Sequence, residues 1–107
     1  NILVQKINGQ FEISGILDWE FSFAGSTLFD VANMLRYAHR MPQCYEDEFL
    51  NGLKLSGYHL PDNWRTKISM LNLLSLLDCL QRAEPKKSPN QVSDIHKLID
   101  HILKTLR

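Results

Sequence analysis

The dipeptide Asn8-Gly9 constrains this chain more than any other short feature. Both central positions of a type I′ turn need positive φ, and Asn-Gly accepts that conformation at little cost. It is flanked by ILVQKI and QFEISGILDW, where Val4, Phe11 and Ile13 supply β-branched and aromatic content. The stretch therefore predicts a β-hairpin. A two-residue turn at 8–9 also fixes the register: Ile7 faces Gln10, Val4 faces Ile13, and Asn1 faces Ile16. An isolated hairpin is marginal in water, so it should lean on helices or on further strands.

Helical patterning fills the rest. Residues 20–27 read as a loop, with Gly25, Ser26 and Thr27 as breakers and caps. A helix is predicted over 28–40, with Leu28, Val31, Leu35 and Ala38 on its apolar stripe. Thr27-x-x-Asp30 resembles a capping box, and Pro42 ends the helix. A shorter helix over 45–56 turns Phe49, Leu50 and Leu53 inward and is closed by Gly57. Pro61 and Asp62 introduce the longest helix, 63–82. Its section ISMLNLLSLLDCL is apolar nearly all round, which predicts a central buried helix. The polar run EPKKSPN precedes a last helix over 91–106, with Asn90 as N-cap. Val92, Ile95, Leu98, Ile99, Ile102, Leu103 and Leu106 give it a three-four spacing. The expected fold is α+β and mainly helical: a hairpin leading into four helices.

Bulk properties narrow the partners. The 107 residues are 44% apolar, with zero formal net charge and a pI near 7.1. Arg65, Lys67, Arg82, Lys86 and Lys87 are scattered, so no nucleic acid and no anionic membrane surface is indicated. No apolar window is long enough to span a bilayer, and NILVQKING lacks the marks of a signal peptide. Cys44 and Cys79 show no CxxC spacing and read as reduced thiols of a cytoplasmic protein. The four histidines lack zinc-site spacing; His96 and His101, five apart, fall off a common helical face. Met34, Met41 and Met70 read as packing residues.

Asp18 follows the apolar pair Ile16-Leu17 and precedes Trp19, an expensive place for a charge if it is half-buried. In the register above, Asn1 and Asp18 are diagonal neighbours on one face, roughly 7–8 Å apart at the backbone. An amide oxygen and a carboxylate are hard ligands suited to Mg²⁺, which takes one or two protein oxygens and completes its shell with water and phosphate. A bound cation would also offset the desolvation of Asp18.

At these residues the chain resembles a known family. NILV, then a turn, then GILDWEFSFAGSTLFDVANMLRY is similar to the C-terminal lobe of the aminoglycoside phosphotransferase and choline kinase-like group, which is related to protein kinases. Its members carry H-G-D-x-x-x-x-N-I-L, a short hairpin, I-D-[WF]-E and a G-x-P-x-F-D segment. The likeness covers residues 1 to about 37. It implies an ATP-dependent transfer of a γ-phosphoryl group to a substrate hydroxyl, with Asn1 and Asp18 holding Mg²⁺. Asp30 matches the aspartate that braces the catalytic loop. Glu20 could meet a cationic substrate group, as acidic residues do in such relatives. Trp19 fits the core better than the site but stands beside Glu20 as a candidate substrate contact. The run Tyr45-Glu46-Asp47-Glu48 reads as a solvated helix start, or as the lining of a cleft for a polycation.

Two departures accompany the resemblance. Gly25-Ser26-Thr27 stands where the family often has Asp-Pro after the loop Gly. The general-base Asp falls upstream of position 1, and neither a Gly-rich phosphate loop nor a nucleotide-binding Lys is present. The expectation is a C-terminal fragment of a kinase, inactive by itself and prone to homodimerise through uncovered apolar surface. The alternative is a non-catalytic helical interaction module.

Overall fold

In the computed structural model, which describes residues 1–84 and 86–107, the hairpin and four helices form in the expected order. Strands β1 (Ile2–Ile7) and β2 (Gln10–Ile16) pair antiparallel around the turn. Asn8 and Gly9 take φ of 50° and 86°, both positive as the turn type requires.

The register follows the turn only partway. Ile7 pairs with Gln10 and Val4 with Ile13, but Leu3 pairs with Gly15 and Ile2 with Ile16. Ser14 is thus an extra residue on β2, a β-bulge. Asn1 lies opposite Leu17 rather than Ile16: its carbonyl accepts the Leu17 N–H at 2.8 Å. Because paired residues share a face, Ile2, Val4, Phe11, Ile13 and Ile16 now line one side of the ribbon. All five are exposed, Phe11 at 74% and Ile13 at 67%. The expected support from the helices is not made: no strand residue is buried.

Helix α1 (Leu28–Leu35) is shorter than its periodicity predicts. The Arg36 N–H turns to the Asn33 carbonyl, and Tyr37 leaves helical geometry at φ −107°, ψ 12°. A single 3-10 turn over Ala38–Arg40 follows, and Met41 is extended before Pro42, as a pre-proline residue should be. Side chains from later helices cap the shortened end. Asn72 Nδ2 donates to the Ala32 carbonyl at 2.9 Å, and the Tyr45 hydroxyl donates to the Met34 carbonyl at 2.9 Å. At the other end the expected capping box does not form: Thr27 makes no side-chain cap, and Ser26 Oγ accepts the Leu28 N–H instead.

Helix α2 (Cys44–Leu55) ends in a Schellman motif. Gly57, at φ 84°, donates to the Lys54 carbonyl, and the Tyr58 N–H reaches the Leu53 carbonyl. Helix α4 (Pro89–Thr105) begins with Pro at its first position, where no intrahelical donor is lost. Its N-cap is therefore Ser88 rather than Asn90. Of the polar run before α4, Pro85 lies outside the described residues.

Helix α3 (Trp64–Arg82) is central but not buried all round. Its first half packs Ile68 with Val31, Ala32 and Leu35 of α1, flanked by Phe49, Leu50 and Leu53 of α2. Its second half packs Leu76 with Ile95, Leu98 and Ile102 of α4. The remaining side leaves Met70, Leu74 and Leu77 exposed. Met41 is exposed as well, so of the three methionines only Met34 keeps a partly buried position. Cys44 and Cys79 are free thiols. Among the described residues no helix is long and apolar enough to cross a membrane.

Candidate functional site

The base of the hairpin brings together the two residues singled out as metal ligands. Beyond Leu17 the chain turns sharply: Asp18 is left-handed, at φ 67° and ψ 54°. A short 3-10 turn, Trp19–Phe21, follows, and Trp19 Nε1 donates back to the Ile16 carbonyl at 2.8 Å. This reversal swings the Asp18 carboxylate toward β1, where Asn1 Nδ2 donates to Asp18 Oδ2 at 3.1 Å. The contact arises from the bulge and the left-handed residue together, not from a diagonal pair on a flat ladder. An αL aspartate is uncommon outside turns, and such conformations concentrate at functional sites.

Asp18 is exposed, not half-buried, because none of the described residues covers the hairpin base. Relief of desolvation therefore gives no reason for a cation. The case for one rests on chemistry and placement: a carboxylate and an amide, both hard donors, held side by side by backbone geometry. With the amide nitrogen facing the carboxylate, the pair is a hydrogen bond. Rotating the Asn1 amide by half a turn aims two oxygens at one point, and such a donor set fits Mg²⁺. Among the described residues no group of three or more His, Cys, Asp or Glu forms a preassembled cage.

The neighbouring candidates are placed less tightly. Trp19 is 63% exposed, which overturns its core assignment and leaves its ring open to a ligand. Glu20 is exposed beside it. Asp30 lies in the first turn of α1, where its charge is favoured by the helix dipole. Among the described residues no side-chain hydrogen bond joins Asp30 to Asn1 or Asp18. The loop between them is shaped by Phe23, whose ring meets Phe29 edge-on at 5.2 Å. A Cβ at Gly25 would come within 2.5 Å of the Phe23 ring, so a larger residue there would push that exposed ring aside. Of the acidic run, Glu46 pairs with Arg65 across to α3, while Asp47 and Glu48 are solvated.

A second polar cluster was not singled out from the sequence. Arg40 and Tyr37 both bond Asp94 of α4, at 2.6 and 3.0 Å. His39 stacks on His101 with centroids 3.9 Å apart. Hydrogen bonds from Arg40 and Tyr37 hold the Asp94 carboxyl below its usual range. Burial, then the neighbouring His101 and Arg40, lower the basicity of His39. Asn72 belongs to the same corner and did leave a signal, as an amide inside the apolar run MLNLL.

No family model, curated protein or solved structure matches this chain. Its functional assignment rests on its own residues.

Proposed function

We propose that residues 1–107 are the C-terminal lobe portion of an ATP-dependent small-molecule phosphotransferase of the aminoglycoside phosphotransferase and choline kinase-like kind. The observation that carries this is the 3.1 Å contact between Asn1 and Asp18, the two positions that match the family's metal ligands. The ordered resemblance of residues 1 to about 37 to that family's motifs supports it. Asn1 and Asp18 hold Mg²⁺, which neutralises phosphate charge when bound. Asp30 braces the loop from the start of α1. Glu20 and Trp19, both open to solvent, meet the hydroxyl substrate, with Glu20 and the indole face suited to a cationic one. The general base and the nucleotide lobe lie outside this chain, which alone turns over no ATP. The setting is cytoplasmic, with neither nucleic acid nor membrane as partner.

Magnesium titration with ATP present, followed by backbone and side-chain chemical shifts, tests the assignment. Saturable shifts at Asp18 that vanish in Asp18→Asn are expected. Shifts that are absent, or unchanged in the variant, would refute it, as would genuine turnover by the 107-residue chain. The coding sequence preceding Asn1 is a further test: it should read His-Gly-Asp just upstream.

One observation favours a second reading, a non-catalytic interaction module. The hairpin face and the Met70-Leu74-Leu77 stripe both present apolar surface to solvent. A start codon adjoining Asn1 would decide for that module.

A further inference from the structure

A cleft of about 420 Å³ lies between the end of α1, the start of α2, the first half of α3 and the end of α4. Leu35, Ile68, Ile102 and Leu106 form its apolar part. Arg36, Ser69, Asn72 and His101 contribute polar groups to its wall, and none of Asn1, Asp18, Glu20 or Asp30 lines it.

Arg36 is the unusual member. It is partly buried, and its guanidinium is held by two neutral amides: Nε donates to Asn72 Oδ1 at 2.9 Å, and Nη2 to Asn33 Oδ1 at 2.6 Å. Asn72 is 5% exposed and is itself tied to the Ala32 carbonyl, so this grip is rigid. Among the described residues the ion pairs are Arg40–Asp94, Arg65–Glu46, Arg82–Asp78 and Lys87–Glu84, and none includes Arg36. Among the described residues the one acid on the cleft wall is Glu46, which is taken by Arg65. A partly desolvated guanidinium oriented by amides and left without a counter-charge is arranged as carboxylate and phosphate sites are. The Nη1 edge is the part that the two amides leave available.

We propose that this cleft binds a small molecule bearing an oxyanion, phosphate or carboxylate, with Arg36 as its counter-charge and the apolar wall against its body. The volume falls within the range of about 300–1,000 Å³ common to small-ligand sites. Ser69 and His101 stand on the same wall as further donors.

The test uses the full chain, isotope-labelled, titrated separately with sodium phosphate and sodium acetate at ionic strength matched by chloride. Saturating shifts at the Arg36 side chain, Ser69 and His101 are expected with at least one anion. Phosphate alone saturating assigns a phosphate ligand, acetate alone a carboxylate, and both a general oxyanion site. Arg36→Gln should weaken binding about tenfold or more, the loss of a charge-assisted hydrogen bond. Should that variant unfold, Thr105→Tyr fills the rim of the cleft from exposed Thr105 and leaves the Arg36–Asn72 bond intact. It should weaken binding to a similar degree. Shifts no different from those with chloride, or wild-type affinity in a folded Arg36→Gln or Thr105→Tyr, would overturn the proposal.

Discussion

Replacing Asn72 with Leu isolates the bond that ties α1 to α3. The two side chains are similar in size, so the cavity contribution is small. Two interactions are lost. The Ala32 carbonyl loses its donor in a buried setting, which costs about 1–3 kcal/mol. The Arg36 guanidinium loses an acceptor, a bond of the class worth about 1.5–3 kcal/mol, discounted here because water reaches a partly exposed Arg. Burial of the new leucine's apolar surface offsets on the order of 1 kcal/mol. The net loss is about 2 kcal/mol, a sizeable share of the roughly 5–15 kcal/mol typical of a domain. Urea unfolding followed by circular dichroism should show the midpoint falling by about 1 M, given slopes of about 1–3 kcal/mol/M. A double-mutant cycle with Arg36→Gln should reveal coupling of about 1 kcal/mol. An unchanged midpoint, or strictly additive effects, would refute the claim that Asn72 caps α1 and anchors Arg36.

Acid should weaken the fold in two stages. His39 is less basic folded than unfolded, so stability is complete above about pH 6.5 and declines as pH falls toward its lowered folded value. The Asp94 carboxyl is depressed, so its contribution is present above about pH 3.9 and lost as pH falls through its folded value. Asp94→Asn should abolish the lower stage in stability measured against pH; an unchanged acid limb would contradict the role of the Arg40–Asp94–Tyr37 cluster. The open edges of the two-stranded sheet and its apolar face should make the chain dimerise at high concentration. Ile13→Lys should return it to a monomer in sedimentation velocity, whereas a wild type that stays monomeric throughout would show that hairpin face to be inert.

What the sequence reveals depends on how locally each feature is decided. Asn8-Gly9 dictates its own turn and the pairs nearest it, and these form as read. Ser14 does not announce its bulge, because one extra residue is set by how the far end of the ribbon meets Asn1 and Leu17. The spacing of Leu28, Val31, Leu35 and Ala38 runs unbroken across the true end of α1. That end is determined by Asn72 and Tyr45, whose capping bonds come from other helices. The apolar run in α3 correctly marks a central helix, but periodicity cannot say that only two sides receive partners. For the candidate site, the nearness of Asn1 and Asp18 is legible because a hairpin forces chain ends together. The exposure of Asp18 and Trp19 is not, since it depends on what lies over them.

The bulge at Ser14 gives the hairpin a rule of lengths. Between the bulge and the turn the strands pair residue for residue. Adding or removing one residue from each arm moves the tip by one step and leaves the base unchanged. A single residue added to one arm between the turn and the bulge shifts every later partner by one, whereas deleting Ser14 removes the bulge and leaves Leu3 opposite Gly15 and Ile2 opposite Ile16. Length changes in this ribbon are therefore tolerated in matched pairs, and position 14 is the one place where a single residue can be lost without changing what faces Asn1.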